Sequence, residues 1–483
     1  MRRSGTWGST RADRAGKPTE RMVLLRRLGA RASPSALLSL LSLTVLAAWV
    51  ARFGPLGPRL PALASVGALG AQRSSQAAIV VLVLVLLLLG GAWLTRRLDG
   101  LDRCVAPILG TTAAILALSV ALTAGHLVAL LAGAALVACL VAVSPAGGLR
   151  FSGARLDRVA PWGLYVLTAS AYAIFSMHRH WAFGSGSWDL GCMVHNFYLA
   201  SRGLGTVSTV LGGVDFLGDH FMVGIYLFAP AFWVDASAWM VLAVQALSLA
   251  VTAPAIYAIA RGRGGSVSLA FSLGLATGLS FGLQSAAYFD AHAITVGFGF
   301  LPAALWALER ERLWWASGFL AVFATFKESL GAYVVGLGLL LLWRALRSRD
   351  RRKLYFGLGW VMSGGAWFVL VNRVLMPAFM ANAARLDSHE TFADFGPTVF
   401  TALLGMLSDP LQTLGAILVP DAKILSLGVT LAGTGALGIF APEVALAALP
   451  LFAERFLSSK ATMWQMGYHY AAPLCLYAGW AGA

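Results

Sequence analysis

The apolar positions of this chain fall in long runs and show no alternation with polar ones. Stretches of about 14 to 23 mainly apolar residues follow one another between short polar turns, a pattern that favours membrane helices over a β-barrel. Runs near 35–50, 77–94, 105–123 and 127–143 predict a first block of four helices, and a fifth is expected at about 161–178. Further helices are expected near 238–260, 266–284, 293–308, 313–326, 329–343, 354–376, 424–440 and 443–457, with a last run ending at Ala483. The run 221–234 corresponds to only about 21 Å of helix, which suits an interfacial or re-entrant segment. Residues 399–422 are apolar but broken at Asp409-Pro410 and Pro420, so an amphipathic surface helix is expected there. The pattern therefore predicts an all-α polytopic membrane protein of about fourteen transmembrane helices.

Composition agrees. Charged residues make up 12% of the chain and apolar ones 58%, against roughly 25% charged in a soluble protein. The net charge of +15 is concentrated in a few loops, as the positive-inside rule expects, so membrane topology accounts for the high pI and nucleic-acid binding does not. The four cysteines, Cys104, Cys139, Cys192 and Cys475, show neither disulfide nor zinc spacing. Residues 1–34 read as a basic cytoplasmic tail before an uncleaved helix, 35–160 as a four-helix membrane block and 161–483 as the membrane core.

The basic loops fix one face. Arg96-Arg97, Arg150 to Arg158, Arg261 and Arg263, and the cluster Arg344 to Lys353 all belong on the cytoplasmic side. Counting helices from them puts Asp189, Asp219, His220, Asp290, His292, Lys327, Glu328, Arg385 and His469 on the opposite face. The charge count does not require those acids and histidines to gather there. Three acids (Asp189, Asp215 and Asp219) and two histidines (His195 and His220) lie in the one long outer loop after the fifth helix.

Each feature has a plain structural alternative. Asp189 and Asp219 are placed to cap the helices that follow them, Asp290 and His292 to hydrogen-bond each other, and Lys327-Glu328 to form a solvated turn. Against this, a carboxylate next to an imidazole suits metal ligation or proton transfer. Charges between membrane helices are also costly unless paired or hydrated.

The same residues carry a resemblance. From Trp162 onward the chain resembles a bacterial family of predicted membrane proteins of unknown function. Its marks here are Asp189-Leu190-Gly191, Gly218-Asp219-His220-Phe221, Phe289-Asp290-Ala291-His292, Lys327-Glu328 and His469-Tyr470. Beside the first mark this chain has Val194 and His195 where relatives often have a glutamine or an acid. That family in turn is similar to the GT-C class of membrane glycosyltransferases. The likeness implies a GT-C-like core with a long outer loop after its first helix, in a multi-pass protein of the bacterial plasma membrane with a cytoplasmic N-terminus. It also implies a sugar donor linked to polyprenyl phosphate.

On that reading Asp189 is the base, and Asp219 and His220 are catalytic or metal-orienting groups for a divalent ion such as Mg²⁺ or Mn²⁺. Asp290, His292, Lys327, Glu328, Arg385 and His469 contact the substrate, with Lys327 or Arg385 facing the phosphate. A transporter or lipid flippase, or a non-catalytic subunit of an envelope-assembly complex, is the competing expectation.

Overall fold

The computed structural model describes residues 154–265, 267–380, 391–397, 399–432, 441–465 and 467–483. The basic tail, the first four predicted helices and Arg385 lie outside the described residues. Among the described residues the architecture is helical, with one two-stranded antiparallel hairpin, Val207–Ser208 against Val214–Asp215.

The first described helix, α1 (Ala154–Trp181), carries Asp157 in its first turn and His178, Arg179 and His180 in its last, matching the helix dipole at both ends. Helix α2 (Cys192–Arg202) stops at Gly203, whose φ of 66° is the left-handed cap that glycine accepts without strain. Helices α3 (Ala238–Ala250) and α4 (Thr252–Gly262) form one apolar rod of 25 residues. Pro254 has no N–H to offer and its ring clashes with the carbonyl one turn back, which places the joint at Val251. Next come α5 (Val267–Gly278), α6 (Phe281–Tyr288), α7 (Phe300–Glu309) and α8 (Leu313–Ala324).

Helices α9 (Leu330–Ser348) and α10 (Arg351–Leu370) form a tight hairpin: Arg349 adopts the left-handed cap and Asp350 accepts from the N–H groups of Arg352 and Lys353. Their backbones touch at Gly331 and Gly364, where a Cβ on either would stand 2.7 Å from the other's carbonyl oxygen. Such small-residue contacts let membrane helices approach closely. The remainder is α11 (Val399–Ser408), α12 (Pro410–Leu418), α13 (Asp421–Ala432), α14 (Val444–Phe456) and α15 (Ala472–Gly482). A core that includes Leu164, Tyr172, Leu249, Ile256, Leu301 and Trp480 joins α1, α3, α4, α7 and α15.

The expectation of about fourteen spans in a GT-C-like core is corrected here. Among the described residues four helices are long and apolar enough to cross a membrane: Asp157–Trp181, Ala238–Gly262, Leu330–Ser348 and Arg351–Phe379. The described helices do not build a GT-C-like arrangement. The runs at 266–284, 293–308, 313–326, 443–457 and 470–483 yield helices of no more than 13 residues, at most about 20 Å long. A bilayer core needs about 30 Å. Ser280 breaks one run and Gly297 to Gly299 another. Hydropathy reports the cost of exposure to water, and a helix buried against other helices is as apolar as one facing lipid. The run 221–234 forms two short 3₁₀ turns, and 399–418 forms two exposed short helices, as its two breaks suggest.

Ion pairs separate to the two ends of the bundle. At one end Arg261 grips Asp157 at 2.6 Å, Arg263 and Arg344 meet Glu309 at 3.0 and 2.9 Å, and Lys353 meets Glu311 at 2.7 Å. Arg179 lies about 33 Å from Asp157 along α1, close to the thickness of a bilayer core. The residues that precede α7 and α9, His292 and Lys327-Glu328, belong to that second end.

Candidate functional site

The second end is assembled around Asp290. This carboxylate is 2% exposed, receiving Arg179 Nη1 on one oxygen at 2.9 Å and the Gly186 N–H on the other at 2.6 Å. Arg179 also donates to the Tyr288 carbonyl at 3.0 Å. Asp290 thus fastens the end of α1 and the start of the outer loop to the turn after α6. Ser187–Gly191 follow as one π-helical turn, which places Asp189 Oδ1 3.3 Å from His292 Nε2, a close contact without hydrogen-bond alignment. The His292 ring stacks on His469 with centroids 3.8 Å apart, and His469 lies against Tyr470 at 4.0 Å.

The far end of the outer loop comes back to the same place. Asp215 accepts from Thr206 Oγ1 at 2.8 Å and from the Leu217 N–H at 2.9 Å, capping the turn Phe216–Asp219. Gly218 in this turn packs on the backbone of Phe379, where a Cβ would stand 2.8 Å from the carbonyl oxygen. That close approach is why the turn needs a glycine. It leaves His220 Nδ1 3.2 Å from Glu328 Oε1. Beside it, Lys327 Nζ lies 3.7 Å from Glu454 Oε1 and 5.3 Å over the Tyr470 ring, while Tyr333 donates to Glu454 Oε2 at 3.1 Å. The contacts form a chain from Asp189 through His292, His469, Tyr470 and Lys327 to Glu454, with His220 and Glu328 alongside.

Charges in this cluster tune one another. The His292 imidazole, foremost, with Arg179 and His220 farther off, holds the Asp189 carboxyl below its usual range against partial burial. Burial is the largest influence on Glu328 and opposes ionisation, yet His220 and Lys327 outweigh it and bring the carboxyl down to about 2. Burial likewise opposes charge on His220 and Lys327, but Glu328 raises the first and Glu454 the second. Burial lowers His292 and, more strongly, His469, whose cationic neighbours add to the effect. The cluster holds fixed anions and cations together with two neutral imidazoles.

Sequence-predicted residues fare differently. Asp189, His220, His292, Lys327, Glu328 and His469 meet in this one cluster. Asp219 lies next to His220, and its carboxylate favours the protonated imidazole. Asp290 and His292 do not bond each other: Asp290 serves Arg179 and Gly186. Asp189 is not a hydrogen-bonded helix cap, and Lys327-Glu328 are not a solvated turn, their side chains being 15% and 16% exposed. His195 turns to Ser208 Oγ at 3.1 Å. No three His, Cys, Asp or Glu side chains among the described residues group as metal ligands, and His220 Nδ1 already faces Glu328. That leaves His220 Nε2 and the Asp219 carboxylate as the donors available there.

Three members escaped the sequence reading: Arg179, Glu454 and Tyr470's partnership with Lys327. Glu454-Arg455 inside an apolar run was the available signal, since charges in such a run are expensive unless paired. Arg455, 1% exposed, reaches Ser426 Oγ at 2.6 Å and the Tyr470 carbonyl at 3.4 Å from behind the cluster.

Compared with known proteins, residues 179–478 match the family model described as "Predicted membrane protein (DUF2079)". No curated protein and no solved structure matches.

Proposed function

Because the chain belongs to the DUF2079 family of predicted membrane proteins, we propose that its outer cluster transfers a sugar from a polyprenyl-phosphate donor to an acceptor hydroxyl, on the extracytoplasmic face of a bacterial plasma membrane. The proposal is for the reaction; it does not require the GT-C architecture, which the described helices lack. The observation that carries it is a carboxylate, Asp189, 32% exposed at the mouth of the outer loop and kept anionic beside His292. It shares one cluster with a buried lysine, Lys327.

In the proposed step the acceptor O–H gives its proton to Asp189 as its oxygen bonds to the anomeric carbon. The bond from that carbon to the phosphate oxygen breaks, and the electron pair leaves with polyprenyl phosphate. Lys327 offsets the charge that develops on the departing phosphate. His292 orients the Asp189 carboxylate, and its effect on that acid has a cost. A depressed pKa guarantees the ionised form at neutral pH but weakens the driving force for proton uptake. Glu454 holds Lys327 by an ion pair, and the adjacent Glu328, itself paired with His220, favours its charge. No step is assigned to a metal.

The test is Asp189→Asn in the full chain, in membranes supplied with a polyprenyl-phosphate sugar. Transfer should fall about 100-fold or more while expression and folding stay unchanged. Full transfer by a folded Asp189→Asn protein would remove this residue as base. Movement of the lipid-linked sugar across the membrane with no glycosidic bond formed would make the protein a flippase.

A further inference from the structure

The basic end of the bundle, opposite the ionic cluster, carries more positive charge than the acids beside it neutralise. Arg261, Arg263, Arg344 and Lys353 are taken up there by Asp157, Glu309 and Glu311. In and beside the turn between α9 and α10, Arg347, Arg349, Arg351 and Arg352 are exposed, and none of them is paired with a carboxylate among the described residues. Asp350, the acid in their midst, is engaged by Lys353 at 3.7 Å and by the N–H groups of Arg352 and Lys353. Like charges held this close repel one another, and an anionic surface relieves that repulsion.

The turn lies where lipid headgroups are expected. It joins two helices long enough to cross a membrane, and the span that begins with α10 is only 22% buried, so α10 turns most of its surface outward. Exposed Trp343, Leu346 and Tyr355 flank the arginines, the side-chain types that settle at a membrane interface.

Beside the same turn, α8 and α10 enclose a groove of 680 Å³ walled by Trp314, Leu320, Tyr355, Phe356, Trp360 and Trp367. Trp314 and Phe356 meet edge to face at 4.9 Å near the start of both helices, and the Arg352 guanidinium stands 5.9 Å from that Phe356 ring. The arginine is therefore at the rim, outside the lining. From Trp314 to Thr325 the groove follows α8 for about 17 Å, close to the depth of one leaflet, about half of a 30 Å bilayer core. Its polar groups are turned to the protein: Ser317 Oγ accepts from Trp360 Nε1 at 2.8 Å, Thr325 Oγ1 donates to the Val322 carbonyl at 2.7 Å and Trp367 Nε1 donates to the Ala324 carbonyl at 3.0 Å. A polar chain would lose its water there for no new hydrogen bond, whereas hydrocarbon loses nothing.

We propose that the α9–α10 turn binds the headgroup of an anionic phospholipid from the leaflet on the basic side, with one acyl chain in the α8–α10 groove. Arg351 and Arg352 face the phosphate, and the second acyl chain stays in the bilayer, to which α10 is open. The site is independent of the chemistry at the opposite end and stands whether or not that cluster transfers sugar.

The experiment uses the full chain in phosphatidylcholine nanodiscs containing a trace of phosphatidylglycerol with a photoreactive group near the end of one acyl chain. Cross-links should map to α8 and α10 and disappear with unlabelled phosphatidylglycerol, not with added phosphatidylcholine. The Arg351→Gln, Arg352→Gln double variant should lower the labelling affinity roughly 30-fold, as expected for two arginines at an anionic surface. Arg158→Gln, an exposed arginine of α1 at the same end, should leave it within about twofold. Gly359 lines the groove with nothing within 4 Å of its would-be Cβ, while Gly365 is equally open and outside the lining; Gly359→Trp should abolish the α8 and α10 cross-links and Gly365→Trp should not. Equal displacement by phosphatidylcholine, stronger displacement by a single-chain polyprenyl phosphate, cross-links mapping elsewhere, or an equal loss in Arg158→Gln each overturns the proposal. The wild-type map and competition decide even if a variant fails to fold.

Discussion

Asp290 decides whether the turn after α6 is a structural anchor or part of the substrate surface. Both of its oxygens are engaged, by the Arg179 guanidinium at 2.9 Å and the Gly186 N–H at 2.6 Å, and its side chain is 3% exposed against 17% for Arg179. Asp290→Ala leaves the guanidinium facing a vacated, mostly dry position. Removing one partner of a buried ion pair costs about 3–5 kcal/mol, and the residual exposure of Arg179 places this pair near 3 kcal/mol. Arg179→Met alone leaves Asp290 with only the Gly186 bond and should cost about 2 kcal/mol. The double variant has no stranded charge, so its loss should fall short of the summed single losses by about 1.5 kcal/mol or more. Unfolding in mixed micelles, followed by tryptophan fluorescence, measures all three. Losses that add within about 0.5 kcal/mol would mean the two groups are energetically independent, and the anchor would be refuted. Unchanged stability in Asp290→Ala joined to a raised KM would instead return Asp290 to the substrate surface.

The remaining expectations are briefer. Glu328 is held near 2, so its contribution is present above its unfolded value of about 4.5 and is lost as pH falls through the folded one. His220 is raised, so its share is complete below about 6.5 and is lost as pH rises through its folded value. The pair is therefore strongest between about pH 4.5 and 6.5. The Tm gap between wild type and His220→Gln should peak there and narrow on both sides; a gap independent of pH contradicts the pairing. Gly218→Val must push the loop away from Phe379, at about 1–3 kcal/mol, whereas Gly365→Val meets nothing within 4 Å and should be neutral; equal effects would discount the close approach. In a cysteine-free background, a cysteine at Ser187 should react with an impermeant maleimide on intact cells and one at Ser348 should not. The reverse pattern would turn the protein over in the membrane.

Much of the site was legible before any coordinates. Charge bias alone separated Arg261, Arg263 and Arg344 from His220, His292 and Lys327, because lipid imposes a sidedness that a chain must write into its loops. Asp189, His220, His292, Glu328 and His469 stood out because polar groups among apolar runs are expensive and so are kept where they have partners. Which partners they have was not legible. Asp290 looked equally ready to bond His292 two residues away, and only the packing of α1 against the turn after α6 brought Arg179 to it. Glu454 passed as part of an apolar helix until α14 set it beside Lys327 and Tyr333.

Span number failed for a related reason. A run of apolar residues reports that a segment avoids water, and it does so equally in a bilayer and in a helical core. The sequence by itself thus determined the composition, the separation of the basic loops from the acids and histidines, and the inventory of polar groups, all of which follow from residue-by-residue transfer costs. The pairing of Asp189 with His292 and of Lys327 with Glu454 was decided by tertiary structure, because each depends on segments more than a hundred residues apart meeting within a few ångströms.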